Sequence, residues 1–239
     1  MSVTSPLTAK AVATGLSVGT ARAGEGIPGL AGKLYVDDGG TDGIPVVFIH
    51  SYSGDTTHWA AQLKHLRKTR RAIAFDLRGH GQSQPPANGD YSIDALEADV
   101  TAVVDTLKLD RFVLVGHSLG GPTAIAYAAE NPSKVAGLVL VASAAKTPPD
   151  TAKQVIASLE KDYDTVYEGY AAKLLKGAQP QVARKVHKEM LAVDQKTAMT
   201  IIKVFFAHDP VAGPQAIYRT QTRHHHIRRR YADRPAQSG

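Results

Sequence analysis

Between residues 44 and 142 the chain alternates short, nearly continuous apolar runs with longer stretches of helical periodicity. The runs are Ile44–Ile49 (IPVVFI), Arg71–Phe75 (RAIAF), Arg111–Gly116 (RFVLVG) and Val135–Ala142 (VAGLVLVA). They are rich in β-branched residues and do not alternate with polar ones, the pattern of strands buried on both faces. Between them, Trp59, Leu63 and Leu66 recur at spacings of four and three, and the spacing predicts a helix starting near Thr56 or Thr57. A second helix is predicted over Ile93–Leu107, with Leu96, Val100, Val103, Val104 and Leu107 on its apolar stripe and Ser92 as N-cap. A third runs from Ser118 to Glu130 and stops at Asn131-Pro132. Strands alternating with helices predict βαβ units and a mostly parallel sheet, the α/β class.

The pattern changes after Thr147-Pro148-Pro149-Asp150. From Thr151 to Ala207 the apolar positions keep helical spacing (Val155, Leu159, Val166, Tyr170, Leu174, then Val182, Val186, Met190, Ile201, Ile202 and Phe205), with no clear strand. A helical insertion packed over the sheet is expected there. No internal repeat is present.

Composition adds two constraints. The 239 residues contain no cysteine, which excludes a thiol nucleophile and any Cys-based zinc site within them. The net charge of +6 raises the question of a polyanionic partner. Residues 217–239 carry six Arg and one acid, Asp233, a net +5, while the remaining residues hold 22 basic and 21 acidic side chains, a net +1. The charge is therefore a property of the tail, and no nucleic-acid fold stands beside it; a nucleic-acid partner is not expected. No run approaches the roughly 18 apolar residues of a spanning helix. The first 24 residues lack the basic start and compact apolar segment of a secretory signal, so a cytoplasmic protein is expected.

The chemistry concentrates at Gly116-His117-Ser118-Leu119-Gly120, which follows a predicted strand and opens a predicted helix. G-x-S-x-G in that context is the nucleophile elbow. The serine occupies a strained turn in which side chains two positions either side would collide, and Gly116 and Gly120 remove them. The turn lifts the hydroxyl to a helix N-terminus, where backbone N–H groups favour developing negative charge.

With VVFIHSYSG at 46–54, AFDLRGHGQS at 74–83, LVGHSLGG at 114–121 and VAGLVLVASA at 135–144, the chain resembles the α/β-hydrolase superfamily, in particular its lipase/esterase and haloperoxidase-like members. The resemblance covers about residues 30–145. It implies an α/β-hydrolase fold, with a core over residues 1–146 and a helical cap and lead-out segment over 147–212. It implies Ser118 as nucleophile, with the backbone N–H groups of Leu119 and Tyr52 as the oxyanion hole. Ser51 stands where the family has glycine, a replacement tolerated where φ is negative. Asp76, Arg78 and His80 match a family pattern that orders a loop, and His50 and His117 are read as scaffold residues. The resemblance implies a small-molecule, ester-like substrate and no cofactor or metal; the oligomeric state stays open.

The family's triad runs Ser, then Asp or Glu, then His, with the last two after strands that follow the cap. No such strands are legible after Phe206: beyond Ile217 the only aliphatic residue larger than Ala is Ile227. Residues 213–239 are read as an atypical, disordered basic tail. Three explanations stand for it. It is a functional basic arm; or it supplies a displaced base or metal ligand from His224, His225 or His226; or the reading frame departs from the ancestral one near Gly213, so that the last strands and the catalytic acid and base are lost. The third is favoured, because the composition change and the missing strands coincide. Asp209 is a weak candidate for the acid, better read as a helix start before Pro210. Without a competent acid and base the chain would be an impaired or non-catalytic α/β-hydrolase-fold protein.

Overall fold

The structure, a computed structural model, describes residues 26–143 and 147–208. Asp209 and the histidines at 224–226 lie outside the described residues, as does the whole 213–239 segment.

Six strands form one sheet: β1 (Gly26–Gly29), β2 (Gly32–Gly39), β3 (Val46–Ile49), β4 (Ala72–Phe75), β5 (Phe112–His117) and β6 (Val135–Val141). Their spatial order is β1-β2-β4-β3-β5-β6. Strands β3 to β6 are parallel, whereas β1 and β2 make an antiparallel pair that joins β4 antiparallel. This hairpin was not anticipated from the sequence. In β2 only alternate residues, Leu34, Val36 and Asp38, are buried, so it lacks the continuous apolar run of the central strands.

The predicted helices form close to their expected places. A single 3₁₀ turn, Thr56–Trp59, leads into α1 (Ala60–Leu66). The other core helices are α2 (Ile93–Thr106) and α3 (Gly120–Glu130). Ser92 caps α2 as expected, its hydroxyl accepting the Ala95 N–H at 3.2 Å. Pleating divides the central strands between two layers. Val47, Ile49, Ile73, Phe75 and Leu114 face α2 and α3, where Leu96, Val100, Val104 and Tyr127 are buried. Val46, Phe48, Ala72, Ala74 and Val115 face the other way, onto Trp59 and Leu63. Helices on both faces explain why these strands read as unbroken apolar runs.

The insertion is four helices: α4 (Pro149–Lys161), α5 (Tyr163–Leu174), α6 (Pro180–Ala192) and α7 (Gln195–Ala207). Leu159, Tyr167, Ala171 and Met190 form its own small core, and Tyr52 of the β3 loop packs against it. Ile201, Val204 and Phe205 of α7 join the main core, which fastens the cap to the sheet. No helix among the described residues is long and apolar enough to cross a membrane.

One strand departs from its expected environment. The run at 135–142 reads as buried, yet Val139, Leu140 and Val141 are 45, 45 and 39% exposed. β6 is the sheet's edge, and among the described residues no strand follows it. Its apolar composition suits a central position, which it does not occupy among the described residues.

Candidate active site

β5 ends at His117 and α3 begins at Gly120, leaving Ser118 in the turn between them. Ser118 has φ of 50°, in the left-handed region that non-glycine residues rarely enter. The turn is held on several sides. The Ser118 N–H donates to the Val141 carbonyl at 3.0 Å, and its carbonyl accepts from the Gly121 N–H at 2.9 Å and the Ser143 hydroxyl at 3.1 Å. A Cβ on Gly116 would collide with the Gly120 carbonyl, and one on Gly120 would lie 2.7 Å from the Ile49 carbonyl oxygen. Both glycines are therefore demanded by close backbone approach, and the surrounding contacts over-determine the strained serine.

The serine opens into a cavity of about 250 Å³ between core and cap, lined by Tyr52, Ser118, Leu119, Val155, Leu159, Val166, Tyr167, Tyr170, Ile201, Ile202, Phe205 and Phe206. None of these residues is His, Asp or Glu. Of the site residues expected from the sequence, the cavity brings together Ser118, Tyr52 and Leu119, while Asp209, His224, His225 and His226 lie outside the described residues. Its walls come from α4, α5 and α7, whose apolar stripes were legible although their common target was not.

Tyr52 does more than line the pocket. Its hydroxyl lies 3.0 Å from that of Tyr167, which is also 3.2 Å from the Met190 carbonyl. Burial raises the Tyr52 phenol far above its ordinary range and pushes Tyr167 up to about 12, so both stay neutral. Tyr167 was missed in the sequence; its neighbours Val166 and Tyr170 were noted only for their helical spacing. Ser51 takes no positive φ, so its replacement of glycine costs nothing; the left-handed residue in this loop is Ser53, at 57°.

The other polar residues of these loops are bound up in holding backbone or pairing with one another. His50 is buried between the Leu77 N–H, which donates to its Nε2 at 2.9 Å, and the Ser51 carbonyl, 2.7 Å from Nδ1. Burial, then the neighbouring His80, lowers its pKa to about 3. Asp76 accepts the N–H groups of Thr56 (2.7 Å) and Gln82 (2.8 Å). Arg78 makes a buried two-point pair with Asp99, at 2.9 and 2.7 Å. His80 Nδ1 lies 3.0 Å from the Arg78 carbonyl. His117 stacks edge-on against Trp59, and burial lowers its pKa.

A doubly wound sheet, a serine turn after the parallel strand β5 and a helical cap over that serine define an α/β architecture whose binding crevice lies at the carboxyl ends of the strands. The family model for the alpha/beta hydrolase fold matches residues 44–228, and the chain belongs to that family. The match continues past residue 212, where the hydrolase-like pattern was expected to stop. Among curated relatives, a non-heme chloroperoxidase of Streptomyces lividans is 41% identical over 112 residues, 46% of this chain and 40% of its own. A 2-hydroxymuconate semialdehyde hydrolase of a Pseudomonas strain is 38% identical over 112 residues, again 46 and 40%. The chain spans about two fifths of the length of these relatives. An esterase from Exiguobacterium antarcticum superposes with a TM-score of 0.69 at 25% identity, over 80% of this chain and 76% of that one.

Proposed function

We propose that the chain is a serine hydrolase of small, uncharged, ester-like compounds, acting through an acyl-enzyme on Ser118. The observation that carries this reading is the left-handed Ser118 at the mouth of an apolar cavity. Ser118 Oγ would attack the substrate carbonyl as a base takes its proton, and the N–H groups of Tyr52 and Leu119 would receive the developing oxyanion. Collapse breaks the bond to the leaving alcohol, which takes a proton; water then attacks the acyl group and restores Ser118. The apolar walls favour an uncharged acyl or alcohol part, and the Tyr52–Tyr167 hydroxyl pair offers one polar contact within them. The similarity to esterases supports the ester class.

A second reading rests on the cavity wall, which among the described residues holds no His, Asp or Glu. Asp209 and His224–His226 are the weak candidates for acid and base. If they do not reach Ser118, the protein binds apolar ligands with only the residual catalysis of an oxyanion hole, several orders of magnitude below a complete triad.

Labelling with a fluorophosphonate probe separates the two. Rapid labelling, lost in Ser118→Ala, together with turnover of a short-chain p-nitrophenyl ester, supports the hydrolase. Folded protein that neither labels nor turns over overturns it in favour of the binding protein.

A further inference from the structure

Away from the Ser118 cavity, the seam between core and cap gathers a second set of reactive side chains. Asp55 and His58 belong to the turn after β3, and Glu189 belongs to α6. One donor atom from each lies within 4.8 Å of the other two. His58 Nε2 and Glu189 Oε2 are 2.7 Å apart, with the two side chains 13 and 22% exposed. Asp55 Oδ1 is taken by the Thr57 N–H (2.8 Å) and hydroxyl, which fixes the carboxylate and leaves Oδ2 as its available donor. The His58 ring rests against Gly54, where a Cβ would lie 2.6 Å from Nδ1, so the missing side chain sets the ring's position. None of the three lines the Ser118 cavity.

Two further features mark this seam as a place for positive charge. Lys185 is seated in it, its ammonium in contact with Glu189 Oε1 and 2.8 Å from the Thr57 hydroxyl. Beside it opens a separate polar cleft of about 390 Å³, lined by Asp55, Glu189, Asp194 and the buried His80, which gives an ion a path of entry.

We propose that Asp55, His58 and Glu189 bind a divalent transition cation of the zinc class that ties the cap to the core. One imidazole nitrogen and two carboxylate oxygens, with water completing the shell, is a zinc-type donor set; calcium and magnesium take more oxygens. Two carboxylates neutralise a divalent ion, and small rotations bring the donors from their present separations to metal–ligand distance. The ion replaces the direct His58–Glu189 contact with a bridge between chain segments about 130 residues apart. Lys185 competes with it for the same negative charge, so removing Lys185 strengthens ion binding, whereas a purely polar latch would only be weakened. The proposal is independent of the chemistry assigned to Ser118.

The test is calorimetric titration of the full chain with zinc chloride, and with cobalt(II) to read the visible bands of a bound ion. His224, His225 and His226 offer zinc another place, so every variant carries Ala at those positions. The expected result is one equivalent bound and a raised Tm. His58→Ala and Glu189→Gln each weaken binding by more than about tenfold, and Lys185→Met tightens it. Unchanged affinity in His58→Ala, weaker binding in Lys185→Met, or no binding by folded background protein overturns the proposal.

Discussion

His50 Nε2 accepts the Leu77 N–H at 2.9 Å, a buried bond that joins the loop after β3 to the loop after β4. The bond requires the neutral ring, and burial followed by the charge of His80 lowers the pKa of His50 from 6.5 to about 3.

This lowered value makes stability depend on pH. The unfolded chain protonates His50 below about pH 6.5, while the folded chain does not until about pH 3. The contribution is complete above pH 6.5 and is lost as pH falls, at about 1.4 kcal/mol per pH unit for one proton. His80 and His117, also lowered by burial, act with the same sign. Urea denaturation between pH 7 and 5 should lose stability more steeply in the wild type than in His50→Gln. Equal slopes would mean that His50 is charged in the folded protein.

The strain at Ser118 predicts an inverted substitution order. Within a helix or strand glycine is less stabilising than alanine; at φ of 50° a Cβ is costly and glycine is not. Ser118→Gly should therefore be more stable than Ser118→Ala by about 1 kcal/mol. Both should lose fluorophosphonate labelling. Thermal unfolding of the pair measures the difference, and an alanine variant at least as stable as the glycine one would contradict the strained elbow.

The Arg78–Asp99 pair separates scaffold from chemistry. Its partners are 5 and 0% exposed at the side chain, and the guanidinium also reaches the Asp90 carbonyl at 3.3 Å. Asp99→Ala strands a buried charge and should cost about 3–5 kcal/mol. Replacing both residues with apolar side chains, Arg78→Met with Asp99→Leu, should recover most of that loss. Chemical denaturation of single and double variants tests this; a double variant no better than Asp99→Ala would show that Arg78 is needed for more than pairing.

The legibility of this molecule follows its burial. β3, β4 and the first four residues of β5 are covered on both faces, so their identity is written locally as Val, Ile, Leu, Phe and Ala without interruption. The elbow was equally plain, because Gly116 and Gly120 are forced by backbone contacts within a few residues of Ser118 or in the adjacent strand. The β1–β2 hairpin escaped because it buries alternate residues in a Gly- and Asp-rich context. The partnership of Tyr52 with Tyr167, 115 residues apart, depends on how the cap docks, and no local pattern encodes it. His58 and Glu189 were missed for the same reason.

β6 carries the last prediction. A strand reading VAGLVLV has the composition of a sheet interior, but among the described residues it is the edge of the sheet, with three consecutive large apolar residues more than a third exposed. An unpaired apolar edge offers free backbone N–H and C=O groups together with apolar side chains, which favours pairing with another chain. The protein should accordingly bind the dye ANS and associate as concentration rises, by light scattering coupled to size exclusion. Leu140→Lys places a charge on the exposed edge and should reduce both signals. It should leave the fold intact, because Leu140 is 45% exposed and gives up little buried area. A monomer with low dye binding at all concentrations would contradict an exposed β6 edge.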